Sequence, residues 1–118
     1  MASYETNLKH VEEHLNPGEE IIGSVYGSYE KEILGNKTYG RGVLVTTNKR
    51  IVFYAKGWFG YELENFAYEK ISSIRKKKDL LGITLEFTVS NNSMKLRWIR
   101  NKKEEVEAFY QHVEKEIQ

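Results

Sequence analysis

Cysteine is absent from this 118-residue chain, which excludes a disulfide scaffold and any thiolate zinc site and points towards the cytoplasm. Proline occurs once, and no low-complexity tract is present, so the chain reads as globular. The longest apolar runs are about five residues, far below the roughly twenty that span a bilayer. The N-terminus, MASYETNLKHVEEHL, has no apolar stretch of the kind a signal peptide needs, so none is expected. Nucleophile and phosphate motifs are missing too: there is no G-x-S-x-G, no G-x-G-x-x-G and no G-x-x-x-x-G-K-[ST]. The acidic residues lie mostly in the terminal segments, so no buried carboxylate pair can be argued. These absences together argue against an enzyme, and nothing calls for a cofactor.

What is present suits one domain with a single core: 40% hydrophobic and 30% charged residues. The net charge of +1 conceals an asymmetry. Residues 1–32 hold two Lys and seven Glu, residues 33–103 hold fifteen Lys plus Arg against five acids, and residues 104–118 hold one Lys and five Glu. A basic middle between acidic ends either meets anionic partners or is neutralised by acidic helices packed on it.

The chain is organised around RGVLVTTNKRIVFYAKGWFG, residues 41–60. Two period-2 runs of β-branched and aromatic residues, separated by Asn48-Lys49, predict a β-hairpin. Ahead of it, Leu8, Val11 and Leu15 predict a short helix over Tyr4–Leu15, stopped by Asn16-Pro17-Gly18. Ile21–Tyr29 predicts a strand weakened by Gly23 and Gly27, and Glu30–Gly40 a polar loop of about ten residues. After the hairpin come a Gly57–Gly60 turn and strands over Tyr61–Tyr68, Ile71–Lys78, Gly82–Val89 and Met94–Trp98, with Trp98 directed into the core. Asn101, with Glu104 three residues on, predicts the start of a last helix. Its apolar stripe, Val106, Phe109, Tyr110, Val113 and Ile117, needs a hydrophobic surface to cover.

Seven antiparallel strands followed by one amphipathic helix is the order of the pleckstrin-homology superfold. The residues agree. Gly42, Thr47, Asn48, Arg50, Ile51 and Phe53, then Tyr68, Ile71, Ile74 and Gly82, match the pattern G-x-x-x-x-T-N-x-R-[hydrophobic]-x-F/Y, Y-x-x-I-x-x-I and a Gly-containing turn. In these positions the chain resembles the bacterial pleckstrin-homology-like domains over roughly residues 20 to 117. The resemblance implies a mainly β fold with terminal helices: a seven-stranded barrel of two orthogonal antiparallel sheets, capped by a C-terminal α-helix. It divides the chain into a short N-terminal helix and turn, 1–18, and the domain itself, 19–118. It also implies a non-enzymatic interaction module. Protein recognition or self-association ranks ahead of an anionic membrane surface, and a nucleic-acid binder using the basic middle is the alternative.

Three groups of residues are candidates for chemistry. His10 and His14 in H-x-x-E-H have a spacing used by zinc peptidases, but no third ligand is signalled and they read as solvated helix polars. Trp58 and Phe59 between glycines cannot both face inward, and Lys37, Arg41 and Lys56 are expected beside them; these five form the candidate partner-binding site. Arg75, Lys76, Lys77 and Lys78 form a secondary basic patch that reads as edge-strand protection before it reads as a phosphate contact.

Overall fold

The computed structural model describes residues 3–118 apart from Leu34, and the side chains of residues 33 and 36–39 lie outside what is described. Helix α1 spans Tyr4–Glu12, with the Ser3 hydroxyl accepting from Thr6 N at its start. Seven strands follow: β1 Ile21–Ile33, β2 Asn36–Thr47, β3 Arg50–Lys56, β4 Tyr61–Ala67, β5 Ile71–Asp79, β6 Gly82–Val89 and β7 Asn92–Ile99. Helix α2 spans Lys103–Ile117 and closes the order.

The strands form one antiparallel sheet in the order β4-β3-β2-β1-β7-β6-β5. β1 is the strand both halves share: it pairs with β2 along its length and with β7 over Ser28–Glu32. The sheet curls around a core of Val25, Leu44, Phe53, Leu85, Phe87 and Leu96, into which α2 lowers Val106, Phe109 and Val113. The margins β4 and β5 are not ladder neighbours, so this pleckstrin-homology-like barrel is not strictly closed. Gly23 lets α2 approach: a Cβ there would lie 3.3 Å from the Phe109 Cα.

The N-terminal helix is a second wall. Val43, Val45, Val52 and Tyr54 face away from the main core, yet all are buried, because Val11 of α1 packs on them with Tyr4 and Leu8. Both faces of the central hairpin are therefore covered.

Four expectations need correction. Glu30–Gly40 is not a polar loop but the continuation of β1 and β2, paired from Glu30↔Tyr39 to Ile33↔Asn36. Its polar side chains find distant partners: Glu30 takes Arg97 at 2.8 Å and Lys31 takes Glu64 at 2.7 Å. Helix α1 ends at Glu12, three residues early. Asn101 caps no helix; its Oδ1 accepts Tyr26 N at 2.9 Å and its Nδ2 reaches the Tyr4 hydroxyl, tying α1, β1 and the entry to α2 together. Lys102 opens α2, and its N–H is taken by Glu105 at 3.0 Å. Trp98 is 43% exposed. β7 carries one extra residue between the pairs Leu85↔Leu96 and Ile83↔Ile99, Trp98 takes up φ 56°, and the inward position passes to Ile99.

Candidate functional site

The β3–β4 turn projects two bare aromatics. Gly57 N donates to Gly60 O at 2.7 Å, which pins the base of a four-residue loop. Trp58 is 85% exposed and Phe59 104%. Beneath them lies an open depression of about 500 Å³, lined by Gly40, Arg41, Ala55, Lys56, Tyr61 and Glu62 along with the turn itself.

Helix α1 braces the strand that leads into this turn, a role with no signal in the local sequence. Asn7 is buried, and its Oδ1 accepts Lys56 N at 2.9 Å, so the helix fixes the last residue of β3 before the turn. Tyr61 stacks on Tyr54 at 5.4 Å and meets the His14 ring at a tilt, 4.9 Å between centroids, and His10 stacks on Tyr54 at 6.2 Å. Burial pushes the Tyr54 phenol above its usual range, with Tyr61 and Glu13 adding to the effect. His10 and His14 are thus half-buried ring partners and not freely solvated polars. Among the described residues no three His, Cys, Asp or Glu side chains converge as a metal site.

Of the residues singled out in the sequence, the structure brings together Arg41, Lys56, Trp58 and Phe59. Arg41 lies over the Tyr26 ring at 5.2 Å, and that ring stacks on Tyr4 at 5.6 Å. Lys37 lies on β2, but its side chain is outside what is described. The charge around the tip is mixed: Glu62 lines the same depression, and neighbouring Glu64 is held by Lys31.

Arg75, Lys76, Lys77 and Lys78 lie elsewhere. Their strand is one margin of the sheet, where cations discourage pairing with another chain. Arg75 reaches Glu86 at 3.5 Å, Lys77 reaches it at 3.9 Å, and Lys76 pairs with Glu107 while its ammonium sits 5.0 Å from the Tyr110 ring centre. The hydrogen bond from Lys76, followed by that from Gln111, holds the Glu107 carboxyl below its usual range. In the antiparallel register the β3–β4 and β5–β6 turns lie towards opposite ends of β1.

The motif residues of the central hairpin have an architectural task. The Thr47 hydroxyl donates to Glu19 Oε2 at 2.7 Å, Asn48 accepts Glu20 N and donates to Gly18 O, and Arg50 binds the Glu19 carboxylate. They anchor the 18–20 turn to the β2–β3 turn. Their remoteness from Trp58 explains why the motif does not mark the site.

Comparison with known proteins agrees with this architecture. The sequence model of the bacterial PH domain family matches residues 15–115. The fold is similar to the pleckstrin homology domain of USP37, with a TM-score of 0.61 at 12% identity over 80% of this chain and 96% of that one. It is similar to the C-terminal domain of an unknown protein from Leishmania infantum, with a TM-score of 0.62 at 16% identity over 95% of this chain and all of that one. A DUF1696 family protein with a pleckstrin-homology domain from Shewanella loihica PV-4 gives a TM-score of 0.58 at 15% identity, over 99% of this chain and 95% of that one. At such identities the likeness speaks for the fold alone. No curated protein matches the sequence. Among the described residues no helix is long and apolar enough to cross a membrane.

Proposed function

Since the chain belongs to the bacterial PH domain family, we propose that it is a non-enzymatic binding module whose β3–β4 turn docks a protein partner, either another protein or a second copy of itself. The observation that carries this reading is the exposure of two adjacent large aromatics, Trp58 and Phe59, on a loop held from below by Asn7 and Tyr61. Aromatic anchors above an apolar depression with polar groups at the rim are the anatomy of a protein-binding hot spot. The mixed rim favours a protein over a bilayer. Arg41 and Lys56 would suit anionic headgroups, but Glu62 beside them would be repelled.

The test is a Trp58→Ala, Phe59→Ala double variant. Both side chains are solvent-facing, so its thermal melt should match wild type within about 0.5 kcal/mol. Capture from a native extract should lose a protein that wild type retains, or sedimentation velocity should show lost self-association. A double variant that keeps every partner and its oligomeric state shows the tip to be merely a turn. Vesicle binding abolished by Trp58→Ala would move the same site to a membrane.

A further inference from the structure

The two halves of the sheet differ on their outer side. Helix α1 packs on the central hairpin, whereas no helix lies over the outside of β6 and β7 among the described residues. Leu85 and Phe87 of β6 and Met94, Leu96 and Ile99 of β7 are buried in the core, so the residues between them face outward. Trp98 is one of these. Thr84 lies between the pairs Leu85↔Leu96 and Ile83↔Ile99, so it stands opposite both Arg97 and Trp98.

The register aligns a row across this face: Lys77↔Thr84, then Arg97 and Trp98, then Arg97↔Ser28 and Ser28↔Arg41. At roughly 4.8 Å per strand its cations lie about 10 Å apart, and no acid interrupts them. The next row, Arg75↔Glu86, Glu86↔Lys95 and Lys95↔Glu30, alternates in sign and neutralises itself. On the other side, Tyr26 has Arg41 over its ring at 5.2 Å and Tyr4 stacked on it at 5.6 Å. The two tyrosines open onto a depression of about 370 Å³ shared with Arg100, Asn101, Lys102 and Glu105. The acids that face this surface are engaged. Glu30 is 5% exposed and holds Arg97, and Glu86 is shared by Arg75, Lys77 and Lys95. Asp79 accepts Leu81 N, and Glu105 accepts Lys102 N. Glu5, Glu32 and Glu104 lie outside the row, at the ends of α1, β1 and α2. Arg41, Arg100 and Lys102 have no carboxylate partner among the described residues.

We propose that this outer sheet face binds single-stranded nucleic acid. Lys77, Arg97, Arg41 and Arg100 follow the phosphates, Trp98 stacks on one base, and the depression walled by Tyr4 and Tyr26 takes another. Every base has a π-face, so exposed aromatics reward a strand whose bases are splayed out, whatever its sequence. Cations in a line with the Thr84 and Ser28 hydroxyls between them suit a backbone charged at each nucleotide. A bilayer is the weaker match, since a sheet face laced with ion pairs offers no apolar apex to insert. An acidic protein segment would use the cations but would leave Trp98 without a role. This face shares only Arg41 with the Trp58 depression and does not depend on the function proposed for that turn.

The experiment is fluorescence anisotropy of labelled oligo(U) and oligo(dU), titrated with the whole chain at rising salt. Wild type should bind them, and log affinity should fall with log salt at a slope of about −3, as for four phosphates on a single strand. A preference for oligo(U) assigns RNA through its 2′-hydroxyls, and a preference for oligo(dU) assigns DNA. Annealing oligo(dU) to oligo(dA) hides the bases and should weaken binding at least about fivefold. Trp98→Ala should also lose at least about fivefold, and Trp98→Phe should recover most of it. Lys77→Ala with Arg100→Ala should flatten the salt slope by about 1.4. These positions are exposed, and circular dichroism confirms that each variant is folded. Trp58→Ala with Phe59→Ala should bind as wild type, which separates this proposal from the one above. In Trp58→Phe, Trp98 is the single tryptophan, and the oligonucleotide should quench its emission. Absence of oligonucleotide binding at low salt, unchanged affinity in Trp98→Ala, or equally tight binding of duplex, polyglutamate or phosphatidylglycerol vesicles would each overturn the proposal.

Discussion

The Glu19 carboxylate grips the Arg50 guanidinium at two points, Oε2 to Nε and Oε1 to Nη2, both at 2.9 Å. The Glu19 side chain is fully buried, and the Thr47 hydroxyl and Asn16 N–H complete its shell at 2.7 and 2.9 Å. Arg50 also donates to His14 O at 3.3 Å, so one side chain joins the end of the α1 segment to the central hairpin. Removing one member of such a pair strands the other as a buried, unpaired charge. Arg50→Ala should therefore cost about 3–5 kcal/mol in urea unfolding. A loss below about 1 kcal/mol would mean that the pair is dispensable.

The same contact predicts a pH dependence. Hydrogen bonding from Arg50 holds the Glu19 carboxyl at about 2, below its ordinary 4.5; burial opposes this, and Asn16 and Thr47 assist. A carboxyl with a depressed folded-state pKa contributes stability that is complete above about 4.5 and is lost as pH falls from there towards 2. The contribution at neutral pH is on the order of 3 kcal/mol. Melts of wild type and Glu19→Gln taken from neutral pH downward should converge as acid removes what the variant already lacks. Parallel curves would assign the acid sensitivity to other groups.

Phe109 is fully buried in the main core, with its backbone against the Gly23 stretch of β1. Phe109→Ala should cost about 3–5 kcal/mol, enough to unfold a marginal domain. If chemical denaturation shows under about 1 kcal/mol, α2 is not an integral wall of the core.

The strands that were legible in the sequence are those whose partners lie on one side only. In β6, Leu85, Phe87 and Val89 are buried and Glu86 is not, so a period of two is written in the chain. The stripe of α2 reads equally well, because a helix on a sheet has one dry face. Adjacency of Trp58 and Phe59 required only that one of them be exposed, since neighbours on a strand point apart; both are, because they stand at the tip of the turn and not on a strand. What stayed hidden depends on distant residues. The polar ends of β1 and β2 look like a loop until Arg97 and Glu64 supply charges for Glu30 and Lys31. Trp98 kept the alternation of Met94 and Leu96 on paper, and a single extra residue in β7 reversed it. Asn101 looked like a local cap, but its backbone partner, Tyr26, is 75 positions away.

Gly42, the first residue of the family pattern, has a steric reason to be glycine. A Cβ there would lie 2.5 Å from Tyr54 O and 2.8 Å from the Ala55 Cβ, both on the adjacent β3. Backbone cannot step aside as a flexible side chain does, so Gly42→Ala should cost about 1–3 kcal/mol through overpacking. Gly40 has open space where its Cβ would stand, and Gly40→Ala should stay within about 0.5 kcal/mol. Equal midpoints for the two variants would refute this account of the motif.

The family match begins at residue 15, yet the helix before it covers Val43, Val45, Val52 and Tyr54, and Val11 has no solvent contact there. If α1 is a true wall, Val11→Asp must either bury a carboxylate without a partner or lift the helix off the sheet. Either route costs at least about 2 kcal/mol. Lifting α1 also removes Asn7 from Lys56 N and His14 from Tyr61, the contacts that set the base of the Trp58 turn. The variant should thus show a lower urea midpoint, bind a dye specific for exposed apolar surface, and lose any partner that Trp58 and Phe59 recruit. Unchanged stability with no dye binding would show that α1 only rests on the sheet, and the double burial of the central hairpin would then contribute nothing to folding.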